Sequence, residues 1–133
     1  MKKFDLACLI DDDEIFAFGA KRIIEMSEIC NELKVFNNGQ EAIDFLVPSL
    51  DKFDDRPVFI LLDLNMPIMD GWEFLDTFTS IAPKGSAIIY LITSSIDPAD
   101  IKKAQTYSRV SNYIVKPITK EGLLETLKTD FED

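Results

Sequence analysis

Val58-Phe59-Ile60-Leu61-Leu62-Asp63 is an unbroken apolar run closed by a carboxylate. A strand that is apolar at every position, with no polar alternation, is covered on both faces, which implies parallel pairing with helices on each side. A carboxylate at the end of such a strand is costly unless something charged meets it. The same punctuation recurs twice. Leu6 to Ile10 runs into Asp11-Asp12-Asp13, and Tyr113-Ile114-Val115 runs into Lys116-Pro117. Three strands therefore carry acids or a lysine at the same end.

Strand and helix alternate five times around this centre. Glu14 to Ile29 is expected to be the first helix, with Ile15, Phe18, Ile23, Met26 and Ile29 as its apolar face. Glu32 to Phe36 is a short strand, and Lys34 within it suggests an edge. Asn38-Gly39 starts a second helix with Ala42, Phe45 and Leu46 inward, and Pro48 stops it. Ser49 to Pro57 reads as a connection longer than the usual ~4–6 residues. Gly71 to Ile81 is a third helix presenting Trp72, Leu75 and Phe78, and Ala87 to Ile92 a fully apolar fourth strand. Pro98 and Tyr107 bracket a fourth helix, and Tyr113 to Val115 is a short fifth strand. Thr119 caps a last helix with Leu123, Leu124 and Leu127 inward. Five such units make an α/β fold: a doubly wound, five-stranded parallel sheet of flavodoxin-like order 2-1-3-4-5, helices on both faces, strands two and five at the edges. Ligands of such sheets bind beyond the carboxyl ends of the strands, where Asp11, Asp12, Asp63, Thr93 and Lys116 fall.

Composition narrows the function. The chain has 133 residues, 47% of them hydrophobic, which suits one domain over residues 1–133 with no separate output domain. No apolar stretch approaches the ~20 residues of a membrane span. The net charge of −10 argues against direct nucleic-acid binding, which needs clustered Lys and Arg. Cys8 and Cys30 lack metal spacing and read as buried reduced thiols, Cys8 in a strand and Cys30 at a helix end, which fits a cytoplasmic protein. With no histidine in the chain, any phosphohistidine must come from another protein. No glycine-rich phosphate cradle is present, and Asp63 is followed by Leu64-Asn65 without a second acid two residues on, which disfavours a haloacid-dehalogenase-type phosphatase.

Acids and one lysine at a shared sheet end look like a cation-dependent phosphoryl site. Adjacent carboxylates repel, and a divalent cation turns that repulsion into binding, with hard oxygen ligands suiting Mg²⁺. Asp63 is the candidate nucleophile, since a carboxylate can take a phosphoryl group as an acyl phosphate. Lys116 is the candidate counter-charge to the phosphoryl oxygens. Asp13 is better placed to begin the first helix, where a carboxylate favours the positive dipole end. Thr93 offers a hydroxyl at the end of strand four, with a plain β-branched strand residue as the alternative.

From Asp5 to about Leu127 the chain resembles response-regulator receiver domains, stand-alone chemotaxis receivers among them. The likeness rests on Leu9-Ile10-Asp11-Asp12-Asp13, on the run from Asp63 to Met66-Pro67-Ile68-Met69-Asp70-Gly71, on Thr93-Ser94 and on Tyr113 to Lys116-Pro117. It implies phosphorylation of Asp63 by a partner histidine kinase or phosphotransfer protein, and output through an unknown protein target. Asp12, Asp63 and the Asn65 backbone carbonyl would bind Mg²⁺ directly, with Asp11 acting through water. Lys116 and Thr93 would assist the transfer. Thr93 and Tyr113 would form the switch, although Tyr113 also reads as a half-buried edge aromatic. The resemblance further implies a cis Lys116-Pro117 peptide, and roles for Asn65 and Ser95 in acyl-phosphate lifetime. Lys102, Lys103, Tyr107 and Arg109 are candidate partner contacts. Asn112 stands where the family often has glycine. A phosphate sink or relay intermediate without its own target is the competing class. A pure interaction module fits less well, because the acids, Thr93 and Lys116 are intact.

Overall fold

The computed structural model describes residues 3–53, 56–64, 66, 69–94 and 97–131, with the side chains of Phe53 and Phe131 excepted. Among these residues, strands β1 (Phe4–Ile10), β2 (Cys30–Phe36), β3 (Val58–Asp63), β4 (Ala87–Thr93) and β5 (Val110–Val115) alternate with helices α1 (Glu14–Ser27), α2 (Gly39–Leu46), α3 (Gly71–Ile81), α4 (Pro98–Gln105) and α5 (Lys120–Phe131). The strands are parallel and ordered β2-β1-β3-β4-β5, so the apolar runs expected to be central are central.

The two-residue period of the strands divides the core into two layers. Cys8 and Ile10 of β1, with Ile60 and Leu62 of β3, face Ala42, Leu46, Phe74 and Phe78 of α2 and α3. Ala7 and Leu9, with Phe59, Leu61 and Tyr90, face Ala17, Ala20 and Ile24 of α1 and Leu123 and Leu127 of α5. Tyr90 reaches through this second layer to donate its hydroxyl to Asp130 of α5, and Asn112 Nδ2 donates to the same oxygen at 3.4 Å. Burial and that hydrogen bond hold the Tyr90 phenol far above its ordinary range. Burial likewise pushes the Cys8 thiol up to about 12.

Three local expectations are corrected. Helix α1 ends at Ser27, with Glu28 left-handed at its cap (φ 54°), so Ile29 precedes β2 and Cys30 opens that strand, half-buried. Its inward face is Ala17, Ala20, Ile24 and Ser27, whereas Ile15, Phe18 and Met26 are 87%, 66% and 57% exposed. Of the expected apolar residues, Ile23 packs half-buried against the core and Ile29 is buried. Finally, the segment after α2 is no plain loop. A 3₁₀ helix spans Val47–Phe53, beyond Pro48, and contributes Leu50 to the core. The acidic pairs Asp54-Asp55 and Glu132-Asp133 lie outside the described residues.

Candidate functional site

The carboxyl ends of β1, β3, β4 and β5 bring Asp11, Asp63, Thr93 and Lys116 together. Asp11, Asp63 and Thr93 are buried, and the Lys116 side chain is only 17% exposed. Main-chain bonds set this register: Asp11 N donates to Phe36 O at 3.0 Å, and Lys116 N to Thr93 O at 2.7 Å. The Lys116-Pro117 peptide is cis.

Asp11 divides its two oxygens. Oδ1 accepts from Asp13 N at 2.9 Å. Oδ2 lies 2.9 Å from Lys116 Nζ, off the line a hydrogen bond needs, so its compensation is chiefly electrostatic. Lys116 Nζ is also 3.8 Å from Asp63 Oδ1. Asp13 caps α1, its Oδ1 accepting from Ile15 N and Phe16 N, each at 3.1 Å. That is the role expected of it, and it leaves Asp12 as the solvent-facing acid of the cluster.

Carboxylate oxygens of Asp11, Asp12 and Asp63 lie within 4.8 Å of one another. Mg²⁺ takes oxygen ligands at about 2.0–2.1 Å, so opposite ligands stand ~4 Å apart. The donor set is hard, anionic and of nearly that span, and three carboxylates face one lysine. These residues fit a divalent cation. Asn65, the expected carbonyl ligand, and Ser95 lie outside the described residues.

Gly71 explains the Asp70-Gly71 pair beyond a turn. Asp70 caps α3 in a reciprocal box with Glu73, and Gly71 N donates to Leu64 O at 3.0 Å. A Cβ on Gly71 would stand 2.7 Å from the Asp63 carbonyl oxygen and 2.8 Å from Leu64 Cα. Only glycine lets α3 begin against the backbone that presents Asp63.

Thr93 and Tyr113 line one narrow cleft with Leu64, Leu91, Ile101 and Ala104, a cavity of about 10 Å³, which is room for roughly one water. Tyr113 is 37% exposed. Of the surface candidates, three are engaged in the fold itself. Lys103 Nζ sits 4.6 Å over the Trp72 ring, which stacks on Tyr107. The Tyr107 hydroxyl donates to Asp76 at 2.7 Å, a bond that pushes the phenol up to about 12. Arg109 donates to the Ala82 and Pro83 carbonyls at 3.0 and 2.9 Å. Lys102 is exposed. Asn112 substitutes a side-chain contact for the glycine, its Oδ1 accepting from Tyr113 N at 2.9 Å.

One residue at the site escaped the sequence reading. The Phe16 ring centroid is 4.1 Å from Lys116 Nζ. Its neighbour Ile15 and nearby Phe18 match an apolar period, and nothing in the spacing links residue 16 to residue 116.

The response regulator receiver domain family matches residues 7–128. The nitrate/nitrite response regulator NarL of Escherichia coli K12 is 32% identical over 119 residues, which are 90% of this chain and 51% of that protein. The chain thus spans about half the length of that curated relative. A two-component response regulator from Cytophaga hutchinsonii superposes with a TM-score of 0.84 at 34% identity, over 99% of this chain and 100% of the other. The chemotaxis protein CheY4 of Vibrio cholerae shares the fold, with a TM-score of 0.73 at 22% identity over 96% and 99% of the two chains.

Proposed function

The chain belongs to the response regulator receiver domain family, and from that premise we propose that Asp63 accepts a phosphoryl group from a partner histidine kinase or phosphotransfer protein. An Asp63 carboxylate oxygen forms the new P–O bond as the donor's P–N bond breaks, and the bonding pair leaves with the donor imidazole. Asp11, Asp12 and Asp63 would hold Mg²⁺, which would supply positive charge to offset the negative charge on the transferring group. Lys116, already 3.8 Å from Asp63, gives its ammonium to the phosphoryl oxygens.

The observation that carries this reading is the meeting of three carboxylates and one lysine, from three separate stretches of chain, at one end of the sheet. Counting Mg²⁺ and Lys116 against the three acids, the resting site is near neutral. Phosphorylation adds about one negative charge, since a phosphate carries roughly −1.5 to −2 and replaces the carboxylate charge. Thr93 then turns its hydroxyl toward the phosphoryl group. Tyr113 follows into the space beside it, and the cleft under α4, now water-sized, has to widen. The result is a shift between two existing arrangements of the α4–β5–α5 face, read by a protein target.

Incubation with a small phosphodonor and Mg²⁺, followed by intact mass measurement, tests the proposal. The chain is expected to gain one phosphoryl group and Asp63→Asn to gain none while keeping its fold. Equal uptake by the variant would move the acceptor elsewhere.

A further inference from the structure

Lys116 is a flexible side chain asked to hold one position among three acids. On its acid side it meets Asp11 Oδ2 at 2.9 Å and Asp63 Oδ1 at 3.8 Å. It also meets the π face of half-buried Phe16, at 4.1 Å to the ring centroid. The ring supplies attraction to the cation and also keeps water off it. Phe16 is itself tied to the same carboxylate. Asp11 Oδ1 accepts from Asp13 N, and Asp13 Oδ1 accepts from Phe16 N. Asp11 thus meets the ammonium with one oxygen and, through the α1 cap, helps fix with the other the main chain that carries the ring.

We propose that Phe16 is a positioning residue for phosphoryl transfer, holding the Lys116 ammonium at the mouth of the acid cluster between Asp11 and the incoming phosphoryl oxygens. This rests on Asp63 as the acceptor. Without the ring, only the ion pairs with Asp11 and Asp63 restrain the lysine stem, and its side toward Phe16 opens to solvent. A face-on cation–ring contact in a partly desolvated site corresponds to roughly a tenfold effect.

The test uses the full chain, Phe16→Leu and Phe16→Tyr, with two readouts. Lys116 ε-methylene resonances are shifted upfield by the ring current in the parent, fall back in Phe16→Leu and return in Phe16→Tyr. Uptake from a small phosphodonor with saturating Mg²⁺, which removes any partner-docking effect, slows about tenfold in Phe16→Leu and recovers in Phe16→Tyr. An unchanged methylene shift in Phe16→Leu overturns the contact. A lost shift with parental uptake, or slowed uptake that tyrosine does not restore, overturns the positioning role. Absence of uptake by the parent chain is a separate result: it removes Asp63 as acceptor and the role built on it.

Discussion

Replacing Asp12 with asparagine should stabilise the protein in the absence of divalent cations. The substitution keeps shape and removes one charge from a cluster whose carboxylate oxygens lie within 4.8 Å of one another. At that distance two like charges repel by ~1 kcal/mol in a water-like dielectric and ~3.5 kcal/mol at an effective dielectric of 20. Asp12 faces solvent, so each repulsion sits near the lower figure, and it has two acidic neighbours in Asp11 and Asp63. Lys116 is paired with those two. Relief of about 2 kcal/mol follows, equivalent to a Tm rise of ~6–8 °C for a domain of this size. Urea unfolding in EDTA, with Asp63→Asn alongside, reads the change directly. Added Mg²⁺ should stabilise the parent by mass action and leave the variant nearly unmoved. Rising salt should shrink the difference in EDTA. A variant no more stable than the parent in EDTA, or one that gains as much from Mg²⁺, would refute the claim that these carboxylates press on one another and that a cation relieves them.

Gly71→Ala should cost about 2–3 kcal/mol in urea unfolding and slow phosphate uptake, because its Cβ meets backbone at Asp63 and Leu64 that cannot yield without moving Asp63. Glu28→Gly should raise stability by roughly 0.5–1 kcal/mol by removing a side chain from a left-handed cap, seen as a Tm a few degrees higher. Cys8, with its thiol moved from 9.0 to about 12 by burial, should resist thiol reagents at pH 8 until the protein unfolds. The same shift makes the folded state hold a proton that the unfolded chain releases, so stability falls as pH climbs from 9 toward 12, by at most ~4 kcal/mol, and Cys8→Ala should flatten that slope in alkaline unfolding.

Much of this protein was legible in its residues, for a physical reason. Strands covered on both faces write themselves as apolar runs, and their ends are marked by the one thing such runs cannot contain, charge. That is why the sheet order and the meeting of Asp11, Asp12, Asp63 and Lys116 follow from the residues alone. Helix α1 departs from its expected face at Ile15, Phe18 and Met26, because large apolar residues outweigh alanines in any periodicity, whereas Ala17 and Ala20 are the ones buried beside Ile24. The 3₁₀ helix at Val47–Phe53 was hidden by Pro48, which ends an α-helix yet is tolerated in a tighter turn. Phe16 over Lys116, and the tying of Tyr107 and Arg109 to α3 and its C-terminal end, join residues far apart in the chain. No local pattern encodes such pairs.

The most direct test of the central claim is to locate the phosphoryl group itself. After reaction with a small phosphodonor and Mg²⁺, borohydride reduction converts an aspartyl phosphate to homoserine, and peptide sequencing by mass spectrometry reads its position. Homoserine at residue 63, and its disappearance when Mg²⁺ is withheld, is the predicted result. Homoserine at residue 11 or 12, or labelling indifferent to the cation, would contradict the account.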